Sequence, residues 1–428
     1  MPKPVRRNFS RELAYASLFA VALTVIEGSI ISVIAKNAFE DAVPVRKLNF
    51  IVALLMAAPE FANITSFAWA AAAHGRSKIR FINTLQVSTL AMILVIAFLP
   101  RSGPGVLALA GVVMLARVFM AGVVTLRATV WSANYHRSER AHATGRFATL
   151  TVLVVAVAGY ALGLALDARP ESFRFLVPAA CVFGLAGVFA YSRIRVRRHK
   201  GLLRREDAHT DDDRPSFNPL AVPRVLKRDP HFAFFQLFMF LLGTGNIMLT
   251  APLVITLRDQ FREQYLGGIL ATSSIPLLAM PLAIPLWARL LRARHVVVFR
   301  SYHSWVFVLA QSVILLGTVL HRVELILIGM GIQGVGYAGG TLAWNLGHLD
   351  FAPPDRATQY MGVHVTLNGV RGLIAPFLAV GIYEALEARA AGSGAWVFAF
   401  SVVFCIVGAL GFGWLKGHMG ERIRAARA

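Results

Sequence analysis

Residues 104–131, PGVLALAGVVMLARVFMAGVVTLRATVW, decide how this chain must be read. The stretch is apolar on every side of a helix and carries only Arg117 and Arg127 as charges. A helix that is hydrophobic all round needs apolar surroundings on all its faces. Crossing the hydrocarbon core of a bilayer takes roughly 20 such residues, and this run exceeds that length. The whole composition agrees. Of the 428 residues 57% are hydrophobic and 15% charged, with a mean hydropathy of +0.61. Soluble domains carry roughly 45–50% apolar and about 25% charged residues. The surplus apolar surface requires lipid.

Working outward from that stretch, further runs of the same kind fall at 13–36, 47–73, 79–99, 147–166 and 173–192. They resume at 231–257, 266–288, 297–320, 324–348, 361–385 and 395–415, which makes twelve spans in all. The first run follows a basic start (Lys3, Arg6, Arg7, Arg11). Its length, and Glu27 at its middle, make it a span rather than a secretory signal. Between the sixth and seventh runs lies RIRVRRHKGLLRRE (193–206), followed by the acidic run at 211–213. The expected organisation is therefore an all-α integral membrane protein: a six-helix bundle over 1–192, a central loop over 193–230, and a second six-helix bundle with a short tail over 231–428.

The net charge of +21 would suggest nucleic acid in a soluble chain. Here the basic residues sit in short segments between spans, and no soluble basic domain is present, so nucleic acid is not an expected partner. With the N-terminus inside, the segments on that side hold 30 of the 43 Lys and Arg residues. The bias of positive loops toward the cytoplasm then places both termini and the central loop there. The expected location is the plasma (inner) membrane, as a monomer. Cys181 and Cys405 lie inside apolar runs and read as small hydrophobes rather than a disulfide or metal pair.

The halves also repeat. A shift of 216 residues lays Glu139-Arg140-Ala141 on Asp355-Arg356-Ala357, Arg76 on Arg292, and Lys78 on Arg294. Parallel six-helix repeats about a central loop are a transporter architecture, with the solute site near the midplane. At these residues the chain resembles the major facilitator superfamily over essentially its whole length. The family's loop pattern G-x-x-x-D-R/K-x-G-R-R/K is matched by AWAAAAHGRSK (68–78), which keeps Gly75 and Arg76, with Lys78 as a further basic residue of the loop. Ala72 and Ala73 replace the Asp and the first basic residue. The second copy, ARLLRAR (288–294), keeps Arg289 and Arg292. RVFMAG, with Arg117, is similar to the family's Arg-bearing fourth helix. AGYALG, with Gly159 and Gly163, looks like its glycine-rich fifth helix but lacks the proline, and Ala375-Pro376 stand at the equivalent place in the eleventh. The resemblance implies secondary active transport of a small solute by alternating access, with no enzyme activity. It also implies helices 3, 6, 9 and 12 against lipid.

A charge at the bilayer centre costs about 2.5–3.5 kcal/mol on insertion scales, so each one needs a reason. Glu27, Glu60 and Arg117 fall at the middles of the first, second and fourth spans. Arg117, Arg127 and Trp131 share a face at helical spacing, as do His364, Asn368 and Arg371 on the eleventh span. Asn246 sits mid-span in the seventh. One reading is purely structural: a glutamate pairs with Arg117 between packed helices. The functional reading makes Arg117, Arg127, Asn246, His364, Asn368 and Arg371 the solute site, favouring an anion, with Glu27 or Glu60 carrying a coupling proton. Efflux of amphipathic compounds and a transport-inactive receptor or assembly partner are the rival functions.

Other patterns carry less. GMGIQGVGYAGG (329–340) contains GxGxxG twice, but inside an apolar helix rather than after a strand, so its glycines serve packing and no nucleotide cofactor is expected. His348 and Asp350 point to opposite sides of a helix, and no metal is expected. WNLGHLDFAPPDR reads as the cap of the tenth helix and the turn before the eleventh. Pro276, Pro281 and Pro285 suggest a bent eighth helix.

Overall fold

The computed structural model describes residues 3–135, 137–197, 201, 203, 221–352 and 357–420. Most of the central loop, with its acidic run, and Asp355-Arg356 of the repeat match lie outside the described residues. Among those described there is no strand, and twelve helical segments are long and apolar enough to cross a membrane. They coincide with the twelve expected runs to within a few residues at most ends, the first beginning earlier and the second, expected to run to 73, ending at Ile64 before a separate helix, Ser66–Ala72.

The elements are α1 (Lys3–Val25), α2 (Gly28–Ala38), α3 (Val45–Ile64), α4 (Ser66–Ala72), α5 (Lys78–Ile96), α6 (Gly103–Asn134), α7 (Arg137–Ala168) and α8 (Phe173–Ser192). After the loop come α9 (Ala221–Arg228), α10 (Pro230–Asp259), α11 (Tyr265–Ile269), α12 (Ile275–Ala293), α13 (Val296–Val319), α14 (Val323–Leu346), α15 (Ala357–Glu387) and α16 (Val397–His418). The first expected span is two helices, interrupted at Ile26-Glu27. A π-helical turn, Leu270–Ser274, joins α11 to α12. Pro276 follows it and has no N–H to donate back, so the eighth span departs from α geometry just before its first proline.

Local chemistry marks the ends. Ser102 Oγ accepts from Gly105 N at 3.3 Å, and Asp229 accepts from Phe232 N at 3.1 Å, both with proline in the first turn. Asp350 accepts from Val296 N at 2.6 Å. The segment expected to cap the tenth helix thus caps the start of the ninth. Gly75 has φ +67°, the left-handed value that glycine adopts at no steric cost, and so turns the chain between α4 and α5.

The chain packs as two compact units: Met1–Pro44 with Ala58–Phe217, and Val45–Ala57 with Asn218–Ala428. In the first, α1 lies against α7 and α8, and α5 against α6 and α8. In the second, α14 lies between α12 and α13, and α10 against α15 and α16. The opening turns of α3 belong to this unit, where Asn49 Nδ2 donates to Glu384. The glycines of α14 permit its close contacts. A Cβ at Gly336 would meet Phe307 at 2.6 Å, and one at Gly339 would meet His303 at 2.4 Å. Outward-facing Phe98, Phe175 and Leu282 are 75–84% exposed, the apolar surface that a bilayer covers.

Candidate functional site

In the first unit the polar groups form two separate clusters. Glu27 occupies the interruption between α1 and α2, with extended backbone (φ −58°, ψ 130°), as the residue before the first turn of α2. Gly28 follows it and offers no side chain to crowd the break. Arg117 Nη2 donates to Glu27 Oε2 at 3.3 Å and to the Ile26 carbonyl at 2.5 Å. The carbonyl freed by the break thus has a cationic donor, as unwound backbone at membrane depth requires. The Glu27 side chain is 39% exposed and that of Arg117 16%. The pair is therefore within reach of solvent, and its members can separate without a large desolvation penalty.

Ten residues along α6, Arg127 does not join Arg117. Its guanidinium lies over the rings of Tyr15 at 4.9 Å and Trp131 at 4.7 Å, a double cation–π arrangement. Beside it Glu12 is fully buried and accepts from Trp131 Nε1 and, at 2.9 Å, from Tyr135 Oη. Tyr135 lies just beyond the span. Burial first, and then the charge of Glu12, raise its phenol above the usual value. Glu60 is half-buried after Pro59, on the part of α3 that packs in the first unit. Of the loop residues, Arg76 lies 5.9 Å above the Phe81 ring, and Lys78 Nζ donates to the Ala73 carbonyl at 2.6 Å. Arg289 and Arg292 are exposed on α12.

In the second unit the expected stripe on α15 is assembled. Arg371 donates to the Met239 carbonyl at 2.9 Å and to Asn368 Oδ1. One and two turns before Arg371, Asn368 and His364 face the same way, and His364 Nδ1 donates to Gln236 Oε1 at 3.0 Å. Gly243 on α10 makes room for Arg371, since a Cβ there would lie 1.8 Å from its Nη1. Asn246 sits one helical turn further on the same helix and belongs to a different cluster. Its Oδ1 accepts from Gln311 Nε2 and Gln333 Nε2, each at 2.9 Å, and its Nδ2 donates to the Leu242 carbonyl.

Several polar residues of this interior are absent from the sequence-based expectations. Glu12 was hidden beside a basic start, and Arg300 at the basic edge of the ninth run. Arg300 is 3% exposed, donating to His303 Nδ1 at 3.3 Å and toward the Gly340 carbonyl at 3.5 Å. His303 Nε2 in turn donates to the Gly336 carbonyl at 2.8 Å. The ninth span, expected against lipid, meets that expectation on one face only. Tyr302, Trp305 and Leu309 point outward, while Arg300, His303 and Gln311 are buried. The signal was present in the sequence as the polar residues Arg300, His303, Ser304 and Gln311 at i, i+3, i+4 and i+11, the spacing of one helical face.

Twelve spans with opposed apolar exteriors and polar interiors define an integral membrane protein of transporter fold. The model of the Major Facilitator Superfamily matches residues 17–376, and the chain belongs to that family. No curated protein resembles it closely enough in sequence to be matched. Solved structures do. A D-xylose-proton symporter is 10% identical with a TM-score of 0.74, over 95% of this chain and 97% of its own. A mutant of the nucleoside transporter NupG is 11% identical with a TM-score of 0.71, over 96% and 99%. An auto-inhibited POT family peptide transporter is 14% identical with a TM-score of 0.68, over 97% of each chain. At such identities the likeness is one of fold.

Proposed function

We propose that this protein is a secondary active transporter that moves a small anionic solute across the plasma (inner) membrane, coupled to protons, with both termini cytoplasmic. The observation that carries the reading is the Glu27–Arg117 pair at the break of the first span. Arg117 has one carboxylate partner there. Protonation of Glu27 removes that charge and leaves the guanidinium, whose fork geometry suits a carboxylate or phosphate, to the incoming solute. Release of the solute and return of the proton restore the pair. Proton and anion thereby occupy the site together, which couples one flux to the other. Glu27 is assigned this role ahead of Glu60 because it shares its hydrogen bonds with Arg117. The bias of basic loops supports the orientation. The neighbouring folds, whose names include a proton symporter, support the coupling.

The test is uptake of labelled organic anions by proteoliposomes under an imposed pH gradient. Glu27→Gln should abolish gradient-driven accumulation while exchange of solute across the membrane persists. Arg117→Gln should weaken solute binding itself. Full accumulation by Glu27→Gln would refute the coupling assignment. Uptake of a neutral sugar or nucleoside, indifferent to Arg117, would replace the anionic reading.

A further inference from the structure

Three side-chain nitrogens in the interior of the second unit lack a hydrogen-bond partner among the described residues. They are Arg300 Nε, Gln236 Nε2 and His364 Nε2, and the three side chains are 3–4% exposed. A series of contacts links them. Arg300 reaches Gly340 on α14, Trp344 stands one turn further along that helix, and the Trp344 ring lies 5.5 Å from that of His364. His364 in turn bonds Gln236. The charges around His364 are those of Arg300 on α13, Arg371 on its own helix and His348 beyond α14, all basic. The nearby carboxylates are committed elsewhere, Asp229 to Phe232 N and the Tyr360 hydroxyl, and Asp350 to Val296 N. A buried guanidinium held only by a histidine and one distant carbonyl lacks the opposite charge that burial demands.

We propose that Arg300, Gln236 and His364 form a second oxyanion subsite, which holds a carboxylate or phosphate group of the solute and takes up a proton with it. The subsite rests on the anionic reading given above and names a place in the second unit for an acidic group. The proton follows from the tautomer. Gln236 Oε1 can only accept, so the proton of the neutral imidazole is on Nδ1 and Nε2 carries a lone pair. A lone pair does not bind an oxyanion. Nε2 must first gain a proton from solvent, after which the imidazolium donates through both nitrogens, to Gln236 and to the anion. Departure of the anion returns that proton. His303 plays the opposite part, because its bond to Gly336 leaves Nδ1 to accept from Arg300 and so holds the guanidinium in place. The subsite is shut to solvent in this structure. A solute reaches it once the surrounding helices part, a movement that alternating exposure requires in any case.

The test uses the full-length protein in detergent, with sulfate and acetate as probes because both stay ionised at pH 6 and pH 8. Calorimetry in two buffers of different ionisation enthalpy gives the affinity and the protons taken up per anion. Wild type should take up about one proton more than His364→Gln, whose affinity should change less with pH. Arg300→Gln should weaken binding at both pH values by about tenfold or more. Arg300→Lys, which keeps the charge, should recover part of that loss and shows that the effect is not one of misfolding. Equal proton uptake in wild type and His364→Gln, or unchanged affinity in Arg300→Gln, would overturn the subsite. If Arg117→Gln alone abolishes binding, the anionic reading stands and the subsite falls. If neither probe binds wild type, both fall.

Discussion

Arg117 meets Glu27 at 3.3 Å and the Ile26 carbonyl at 2.5 Å, so one side chain of the fourth span serves both the charge and the broken backbone of the first. The two contacts differ in kind. The carbonyl bond belongs to the fold, because a freed carbonyl at membrane depth needs a donor. The carboxylate bond lies nearer solvent, because the Glu27 side chain is more than a third exposed. Both bonds leave the same Nη2 atom, so the contact that serves the backbone and the contact to the carboxylate share one nitrogen.

That division predicts unequal costs for the two single variants. Glu27→Gln keeps the carbonyl bond and should cost about 1 kcal/mol of stability, toward the range of exposed pairs. Arg117→Gln leaves both Ile26 O and Glu27 without their donor and should cost about 2–4 kcal/mol. The double variant should be less destabilised than the sum of the two. Thermal unfolding of the three proteins measures the coupling, and strict additivity would show that the ion pair contributes nothing.

Gly243 separates a positional effect from a packing effect. A Cβ at this site collides with the movable end of Arg371, so Gly243→Ala should fold near-normally while displacing the guanidinium and lowering solute affinity. At Gly408 the added Cβ would lie 2.8 Å from backbone and side-chain atoms of Leu242, where α10 and α16 meet, and neither helix can yield easily. Gly408→Ala should cost about 1–3 kcal/mol through overpacking. Unfolding midpoints and binding isotherms on the two variants should move in opposite patterns.

Much of this architecture was legible in the residues. Span positions follow from run length alone, because the bilayer imposes it. The stripe His364, Asn368, Arg371 was legible because helical period fixes which residues share a face. What sequence could not supply was the partner of each group. Arg117 and Arg127 share one face of α6, yet one meets a carboxylate and the other two aromatic rings, a choice made by neighbouring helices. Arg300 was not singled out, because it stands at the edge of its span and charge was read without its periodicity. The break at Glu27 was read as continuous helix because hydropathy does not register the path of the backbone. The pairing of His364 with Gln236 joins residues 128 positions apart in the chain, and local pattern does not encode it.

Asn246 is the acceptor on which two buried amides converge. Asn246→Ala strands the Nε2 groups of Gln311 and Gln333 together, and each unsatisfied buried donor costs about 1–3 kcal/mol. Gln311→Leu removes one donor and leaves Asn246 its bond to Gln333, with only the Cys405 thiol losing an acceptor. Asn246→Ala should therefore be the more destabilised by about 1–3 kcal/mol. Denaturation of the purified variants checks the order. The reverse order would mean that the amides relax toward other partners.

Glu12 ties α1 to α6 through two donors, Trp131 and Tyr135, and Gln is a poor substitute for it. The carboxylate offers an acceptor oxygen to each donor, whereas a carboxamide turns an NH2 group toward one of them. Glu12→Gln should lose about 1–3 kcal/mol, and Glu12→Ala more, because both buried donors are then stranded. The same contact sets a pH dependence. The phenol of Tyr135 is raised in the folded state, so its contribution to stability is fully present below about pH 10, the unfolded value. It is lost as pH rises toward the raised folded value. Removing the Glu12 charge takes away one of the causes of that shift. Glu12→Gln should therefore ionise Tyr135 at lower pH than wild type, visible as phenolate absorbance in an alkaline titration with Tyr135→Phe as the blank. Identical titrations in the two proteins would show that burial alone governs the phenol, and that Glu12 acts on α6 through hydrogen bonds without its charge being felt.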